Sequence, residues 1–480
     1  MEAQYYQFNR TKIVATIGPA CEDKKVLMEM IRQGLDVVRL NFSHADHETH
    51  ERYVNLVREI NDEHKTKVAL LQDLQGPKMR IAKLERSVKI AAGDIITIRT
   101  DIEQQTEDEI PIVYDTFAKD VNEGDLILID DGKVELTVVE TDKLNTVKLR
   151  VEAGDEIKSR KGVNLPFTKI SEPTITDQDY RDIDFAIKHK VEWIALSFVR
   201  SANDIRVLKE LIRLKGGKSR VIAKIEKPEA LVDIDAIIEE SDGIMVARGD
   251  MGVEIPLEDV PMWQKRIVKK CNLAAKPVIV ATQVMESMIE NRRPTRAETN
   301  DVANAVLDGA DAVMLSAETS VGRYPVDVIR VMSSIIRKVE AVDDSNLYYR
   351  NLQFDANGRN PLSAATIVTA CTLARDTKAK CIIGMTHSGH TAFQLSHCRP
   401  QAHIFIFTDN IQLMHTLSLT WGVRAFYYDK HESTDNTISE VTNFLKVKGY
   451  VQKDDVVINT ASIPIHERGV TNMVKITKIK

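Results

Sequence analysis

Cysteine is scarce in this chain, five in 480 residues, and Cys21, Cys271, Cys371, Cys381 and Cys398 are far apart and never in a Cys-x-x-Cys spacing. An odd number of scattered thiols fits free cysteines in a reducing cytosol and not a disulfide framework. No apolar run approaches the roughly 18 residues of a membrane span. Met1 to Arg10 carries Tyr, Gln, Glu and Asn where a signal peptide needs an apolar core. A positive field is missing as well: the formal net charge is -6 and the pI is near 6.1. That argues against nucleic acid or an anionic membrane as a partner, so any anionic ligand is met by local cations. No G-x-x-x-x-G-K-[ST] cradle, G-x-S-x-G elbow or H-E-x-x-H zinc motif occurs, and there is no solenoid repeat or low-complexity tract. The expectation is a cytoplasmic globular enzyme.

What is present is ample core material. Hydrophobic residues make up 43% and charged residues 28% of the chain. That length suggests about three domains unless a barrel absorbs half of it. Eight short apolar runs recur: TKIVATIG (11–18), DVVRLNFS (36–43), KVALLQDLQG (67–76), WIALSFVR (193–200), RVIAKIE (220–226), GIMVARGD (243–250), PVIVATQ (277–283) and AVMLSAE (312–318). Amphipathic segments such as HETHERYVNLVREINDE separate them, which predicts a parallel α/β fold; eight units favour a (β/α)8 TIM barrel over an open sheet. Thr295-Arg296-Ala297-Glu298 matches a capping box at the start of a helix through Val306.

One interval breaks the rhythm. From Pro77 to about Thr174 short alternating strands and turn pairs such as Asp130-Asp131-Gly132 predict an inserted small β-barrel domain, hinged at Gly76-Pro77 and near Pro166 to Pro173. After the helix around Tyr324 to Val342 and a polar stretch that includes Asp355 to Pro361, the runs CIIGMT, HIFIFT, AFYYD and DVVINT alternate with helices. The expected organisation is barrel at 1–76, lid at 77–174, barrel again at 175–345, and a C-terminal α/β domain at 346–480.

Catalytic groups of such a barrel sit at the C-terminal ends of its strands. The runs close on Arg39, Asn41, Ser43 and His44; on Asp73; on Lys224 and Glu226; on Arg248, Gly249 and Asp250; on Thr282 and Gln283; and on Ser316 and Glu318. Structural ion pairs could explain one or two of these charges, but not their concentration at the same end of successive strands. Glu226 and Asp250 are hard oxygen ligands suited to Mg2+, with Mn2+ as a substitute. Arg39 offers a planar fork for phosphate and Lys224 a point charge for a transferring group. Phosphoryl transfer needs mainly positioning and neutralisation of phosphoryl oxygens, so Mg2+-assisted phosphoryl transfer is the chemistry favoured by the residues themselves. His44, beside Asp46 and His47, reads as a helix-start or surface residue, not as a nucleophile's partner.

The segments TKIVATIGPA, RLNFSHA, QGPKMR, KGVNLP, AKIEKPE, MVARGDMGVEIP, ATQVMESMI, RPTRAETNDVANAVLDGADAVMLSAETSVGRYP and THSGHTAFQLS, in that order along nearly the whole chain, resemble the pyruvate kinase family. The resemblance implies transfer of the phosphoryl group of phosphoenolpyruvate to ADP in glycolysis, a lid domain, a regulatory C-terminal domain and a homotetramer. By motif, Arg39 is similar to the phosphate-binding arginine and Lys224 to the residue that stabilises the transferring phosphoryl group. Glu226 and Asp250 match metal ligands, and Gly249, Asp250 and Thr282 match positions around the enolpyruvate part, Thr282 near the carbon that becomes protonated. Asn41, Arg80 and Lys161 match nucleotide contacts.

The chain departs from the pattern of K+-dependent members, which accompany the Asn41, Ser43 and Asp73 positions with a Thr and a Glu where this sequence has Leu74 and Lys78. A fixed ammonium would repel a second cation, so K+, the family default, is expected to be dispensable. Thr386, Ser388, Gly389 and Thr391 resemble the phosphate-holding loop of the regulatory domain, at a helix start; a turn without a ligand is the plainer reading. The segment ASIPIHERGVTN after Asn459 lacks the Trp and Arg pattern that resembles fructose 1,6-bisphosphate binding, so AMP or a sugar monophosphate is the expected effector. Two competing readings are a Mg2+-dependent barrel lyase or aldolase acting on pyruvate-like acids, which leaves Arg39, Lys161 and the Ser388 loop without a task, and a silent binding protein on the same fold.

Overall fold

The computed structural model describes residues 8–106, 108–166, 168–342, 347–349, 352, 360–430, 433–463 and 470–480. The start of the N-terminus, the 345/346 division, most of the polar stretch around Asp355 and the middle of ASIPIHERGVTN lie outside them.

Eight strands close a parallel barrel: β1 (Lys12–Thr16), β2 (Val37–Asn41), β3 (Ala69–Asp73), β4 (Trp193–Leu196), β5 (Arg220–Ile225), β6 (Gly243–Ala247), β7 (Val278–Ala281) and β8 (Ala312–Leu315). Each pairs with its sequence neighbours, and β1 closes on β8 with Lys12 opposite Ala312. Side chains alternate as strand geometry requires: Val14, Val37, Leu71, Trp193, Ile222 and Met245 fill the interior, while Ile13, Ala15, Val38 and Leu70 pack outward against the helices.

All eight strands are shorter than the apolar runs that foretold them, because the polar ends leave the ladder. Arg248–Glu254 and Ala317–Ser320 are helical turns, and Thr282 and Gln283 have φ of 67° and 51°. The Thr295 capping box is present, and its helix runs Arg296–Asp308 to a left-handed Gly309.

The insertion is a seven-stranded sheet whose terminal strands, Arg80–Ile81 and Val163–Asn164, approach through an Arg80 to Gly162 bridge, so the sheet curls into a small barrel. Its core extends from Met79 to Ile170, and Ile175 already belongs to the large barrel. Gly76 turns the chain into the insertion with φ 66°; a Cβ there would lie 3.0 Å from the Phe198 ring.

The C-terminal domain is a five-stranded sheet in the order Val423–Tyr427, His403–Thr408, Cys381–Met385, Val456–Ala461 and Met473–Lys478, the last antiparallel. It closes the bottom of the large barrel: Leu419 joins the barrel-interior cluster, and the Trp193 indole N–H donates to the Thr416 carbonyl at 3.1 Å.

Candidate active site

The strand-end cations and carboxylates form a connected chain across the barrel mouth. Arg39, 8% exposed, donates from Nε to Asp73 Oδ2 at 2.8 Å and from Nη1 to Thr16 Oγ1 at 2.8 Å, with Nη2 2.6 Å from Asp73. Asp73 continues to Lys224 Nζ at 3.2 Å, which lies 2.9 Å from Glu226 Oε1 and donates to Ser197 Oγ at 2.8 Å. Burial alone would raise the Asp73 carboxyl, but Lys224 and Arg39 outweigh it and hold the group below the ordinary carboxylate range. Burial opposes the Lys224 ammonium, yet Asp73, Glu226 and Asp250 raise it well above a free lysine, so it is a fixed cation.

Glu226 is buried, with Oε2 accepting the Phe198 N–H at 2.8 Å, and Phe198 adopts a left-handed φ of 54° to present it. No described donor is aligned to hydrogen-bond Oε1, despite its short separation from Lys224. Burial first, and the nearby Asp250 charge, push the Glu226 carboxyl up. Two mutually repelling carboxylates, one of them with an oxygen met only by the Lys224 ammonium, form a donor set that fits a divalent cation with hard-oxygen preference.

Thr282 reaches the same region through Gly249. The Gly249 N–H donates to Thr282 Oγ1 at 2.7 Å, and that hydroxyl donates to the Ala281 carbonyl at 2.6 Å. A Cβ on Gly249 would sit 3.3 Å from Thr282 Oγ1, so a larger residue would press on this contact. A β-branched residue at positive φ costs about 1–3 kcal/mol, retained here by the surrounding bonds.

Beside this chain a cleft of about 250 Å³ runs between lid and barrel, lined among others by Lys78, Arg80, Asp130, Lys161, Asp250 and Glu254. It brings Arg80 and Lys161 to Asp250; Lys161 Nζ pairs with Asp130 at 2.8 Å. Lid and barrel touch where Asn164 Nδ2 donates to Glu254 Oε1 at 2.9 Å, an oxygen shared with buried Lys227 at 2.8 Å. Where the insertion returns to the large barrel, Arg200 donates to the Ile170 and Glu172 carbonyls and the Thr174 hydroxyl at 2.7–3.0 Å.

Asn41 and Ser43 stand next to this chain at the end of β2, where Asn41 Oδ1 accepts the Ser43 N–H at 3.3 Å. Leu74 is buried in the outer apolar layer and offers only its carbonyl, which accepts the Ser197 hydroxyl at 2.6 Å. Lys78 is solvent-exposed; partial burial first, then the charges of Arg80, Lys78 and Arg39, depress the His44 imidazole. Thr386, Ser388, Gly389 and Thr391 lie apart, in the C-terminal domain. Thr386 Oγ1 accepts the Gly389 N–H at 2.9 Å, Ser388 Oγ accepts the His390 N–H at 3.5 Å, and Thr391, 5% exposed, faces Thr471 Oγ1 at 2.9 Å, so all three hydroxyls have partners within the domain. Arg220, at the start of β5, donates to the Ser388 carbonyl at 2.9 Å and links this turn to the strand that leads to Lys224.

Sequence reasoning passed over Thr16, Ser197 and Phe198, which orient Arg39, Lys224 and Glu226 respectively. Ser197 and Phe198 lie inside the fourth run and neither is charged, so only the fold reveals their partners.

Fold and site together have the make-up of a barrel phosphotransferase: a mouth that sets fixed cations beside a pair of metal-suited carboxylates, with the inserted β domain alongside. Residues 8–329 match the family model "Pyruvate kinase, barrel domain" and residues 364–477 match "Pyruvate kinase, alpha/beta domain". The chain is 42% identical to the pyruvate kinase of Corynebacterium efficiens, covering 97% of each, and 40% identical to pyruvate kinase 2 of Synechocystis, covering 98% of this chain and 79% of that one. A solved pyruvate kinase from Cryptosporidium parvum superposes with a TM-score of 0.90 at 34% identity, covering 100% of this chain and 97% of that one. The chain belongs to the pyruvate kinase family, which requires a divalent metal and passes the phosphoryl group of phosphoenolpyruvate to ADP in glycolysis. The lyase or aldolase alternative has no support in these relationships. Among the described residues no helix is long and apolar enough to cross a membrane.

Proposed function

We propose the following division of labour for phosphoryl transfer. The observation that carries it is the unbroken chain Arg39, Asp73, Lys224, Glu226 at the barrel mouth, with Asp250 close enough to act on both Lys224 and Glu226. A guanidinium has five N–H donors. Three of Arg39's have acceptors, so two remain for the phosphate of phosphoenolpyruvate, already oriented by Asp73 and Thr16.

Glu226 and Asp250 would hold a divalent cation, Mg2+ or in its place Mn2+, which supplies positive charge to the phosphoryl oxygens. With Glu226 committed to that cation, Lys224 has one ammonium proton left for the transferring group, where its charge counts most in the transition state. Gly249 and Thr282 border the enolpyruvate, with the Thr282 hydroxyl beside the carbon to be protonated. Arg80, Lys161 and Asn41 meet ADP, and lid closure about hinges at Gly76-Pro77 and near Pro166 to Pro173 excludes water so that phosphoryl passes to ADP and not to solvent.

K+ is dispensable in this reading: Leu74 has no hydroxyl to offer, and the Lys78 ammonium stands near His44, next to the Asn41 and Ser43 region. The Thr386 to Thr391 turn would take AMP or a sugar monophosphate after Thr391 is released from Thr471. The enzyme would work in the cytoplasm as a homotetramer. A coupled assay tests the core of the proposal: phosphoenolpyruvate, ADP and Mg2+ should yield pyruvate and ATP, with no pyruvate when ADP is omitted. Pyruvate formation without ADP, or activity unaffected by Glu226→Gln, would remove it.

A further inference from the structure

Arg248 opens the helix after β6, one residue before Gly249, yet its side chain turns away from the substrate region. Its Nη2 donates to the Thr282 carbonyl at 2.8 Å and, more weakly, to the Gln283 carbonyl at 3.4 Å; Nε reaches the Ala281 carbonyl at 3.4 Å. Three consecutive carbonyls of one turn thus converge on one guanidinium. The turn is the strained one, with Thr282 and Gln283 both at positive φ.

The guanidinium is itself fixed. Asp301, on the helix Arg296–Asp308, binds it as a fork, Nη1 to Oδ1 and Nη2 to Oδ2, both at 2.7 Å. Gln264, on the helix Val260–Leu273, accepts from Nη1 at 3.3 Å and is oriented by donating to Asp308 Oδ2 at 3.0 Å. The side chain is only 12% exposed. An ion pair serving stability alone would need neither the carbonyls nor the strained turn.

We propose that Arg248 is a positioning residue for the protonation half of the reaction: anchored by Asp301, it locks the Ala281 to Gln283 backbone so that the Thr282 hydroxyl is held at the enolpyruvate carbon. The proposal rests on the reading that Thr282 faces that carbon. A lysine at 248 keeps the charge but cannot span Asp301 and the turn at once, because it lacks the planar fork. The Asp301→Asn variant keeps Arg248 and releases only its anchor.

The test follows kcat, KM for phosphoenolpyruvate, and the exchange of pyruvate methyl protons with D2O in the presence of Mg2+ and ATP. Misplacing a reacting group by about 1 Å can cost about 100-fold. Arg248→Lys should therefore lower kcat and proton exchange together by about 10- to 100-fold, with KM changed less than about threefold, and Asp301→Asn should do the same more mildly. Because both act through one hydroxyl, Arg248→Lys combined with Thr282→Ala should be within about twofold of Thr282→Ala alone. Additive losses, or exchange at the parental rate while kcat falls, would overturn the proposal. If Thr282→Ala itself leaves exchange unchanged, it is the reading of Thr282 that fails. Should Arg248→Lys not fold, Asp301→Asn and its combination with Thr282→Ala give the same decision.

Discussion

Replacing Lys224 by methionine removes one positive charge from the middle of the mouth while keeping most of the hydrocarbon stem. The ammonium is 12% exposed and lies 3.2 Å from Asp73 and 2.9 Å from Glu226, so it acts through a medium much less polarisable than water. Two unit charges about 4 Å apart at an effective permittivity of about 20 interact by about 4 kcal/mol. If that interaction with the migrating phosphoryl group is realised mainly in the transition state, turnover should fall by about 10³-fold. Phosphoenolpyruvate binding, which the proposed reading assigns to Arg39 as well, should change by only a few fold.

A second effect must be kept apart. Breaking a buried ion network costs about 3–5 kcal/mol, softened here because Arg39 still pairs with Asp73 and the Phe198 N–H still meets Glu226. Thermal unfolding read beside the coupled assay distinguishes a variant that is folded but slow from one that is not folded. Equilibrium dialysis of phosphoenolpyruvate completes the measurement. Binding lost in the same proportion as turnover, or a turnover loss under tenfold in a folded variant, would refute the role given to Lys224.

Turnover in K+-free tetramethylammonium buffer should match turnover with KCl; collapse without K+ and recovery on its addition would sink the argument from Leu74 and Lys78. Lys78→Glu should raise the His44 pKa, which burial, Arg80, Lys78 and Arg39 all depress; an unmoved NMR titration would place Lys78 elsewhere in solution. Lys161→Met should raise KM for ADP about tenfold, with little change for phosphoenolpyruvate, if its ammonium is worth about 1.4 kcal/mol to nucleotide phosphates; equal effects on both substrates would deny it that role. Lys67, packed 3.8 Å from the Phe426 ring centre, is lowered by burial, Arg424 and Lys448 to about 7 from 10.5. Between about pH 7 and about pH 10 the unfolded chain then holds a proton the folded one has lost, so stability rises with pH by up to about 1.4 kcal/mol per unit. Lys67→Met should abolish that slope in denaturation midpoints, and parallel pH profiles of the two proteins would contradict it.

Which charged side chains gather at the barrel mouth was legible in sequence because buried charge is expensive: Arg39, Lys224 and the acids Asp73, Glu226 and Asp250 at the ends of apolar runs needed a reason to be there. What holds those side chains was not legible. Ser197 looks like any serine at the end of a strand until Lys224 and Asp73 come to it, and Phe198 gives no sign that its backbone will turn left-handed to serve Glu226. The polar ends of the runs were read as strand continuations. They became the helical turns at Arg248 and Ala317 and the strained turn at Thr282, since ladder pairing stops where the barrel does.

By itself the sequence determined the alternation of strands and helices, the interruption by a β-rich insertion and the kinds of charge at the mouth, because periodicity and the cost of burying charge are local properties of a chain. The tertiary structure alone decided that the lid's first and last strands meet, that Leu419 and Thr416 seal the barrel floor, that Thr391 spends its hydroxyl on Thr471, and that Arg248 faces Thr282 and Asp301. Such contacts join residues tens to hundreds of positions apart, and their geometry exists only once the loops between them have closed.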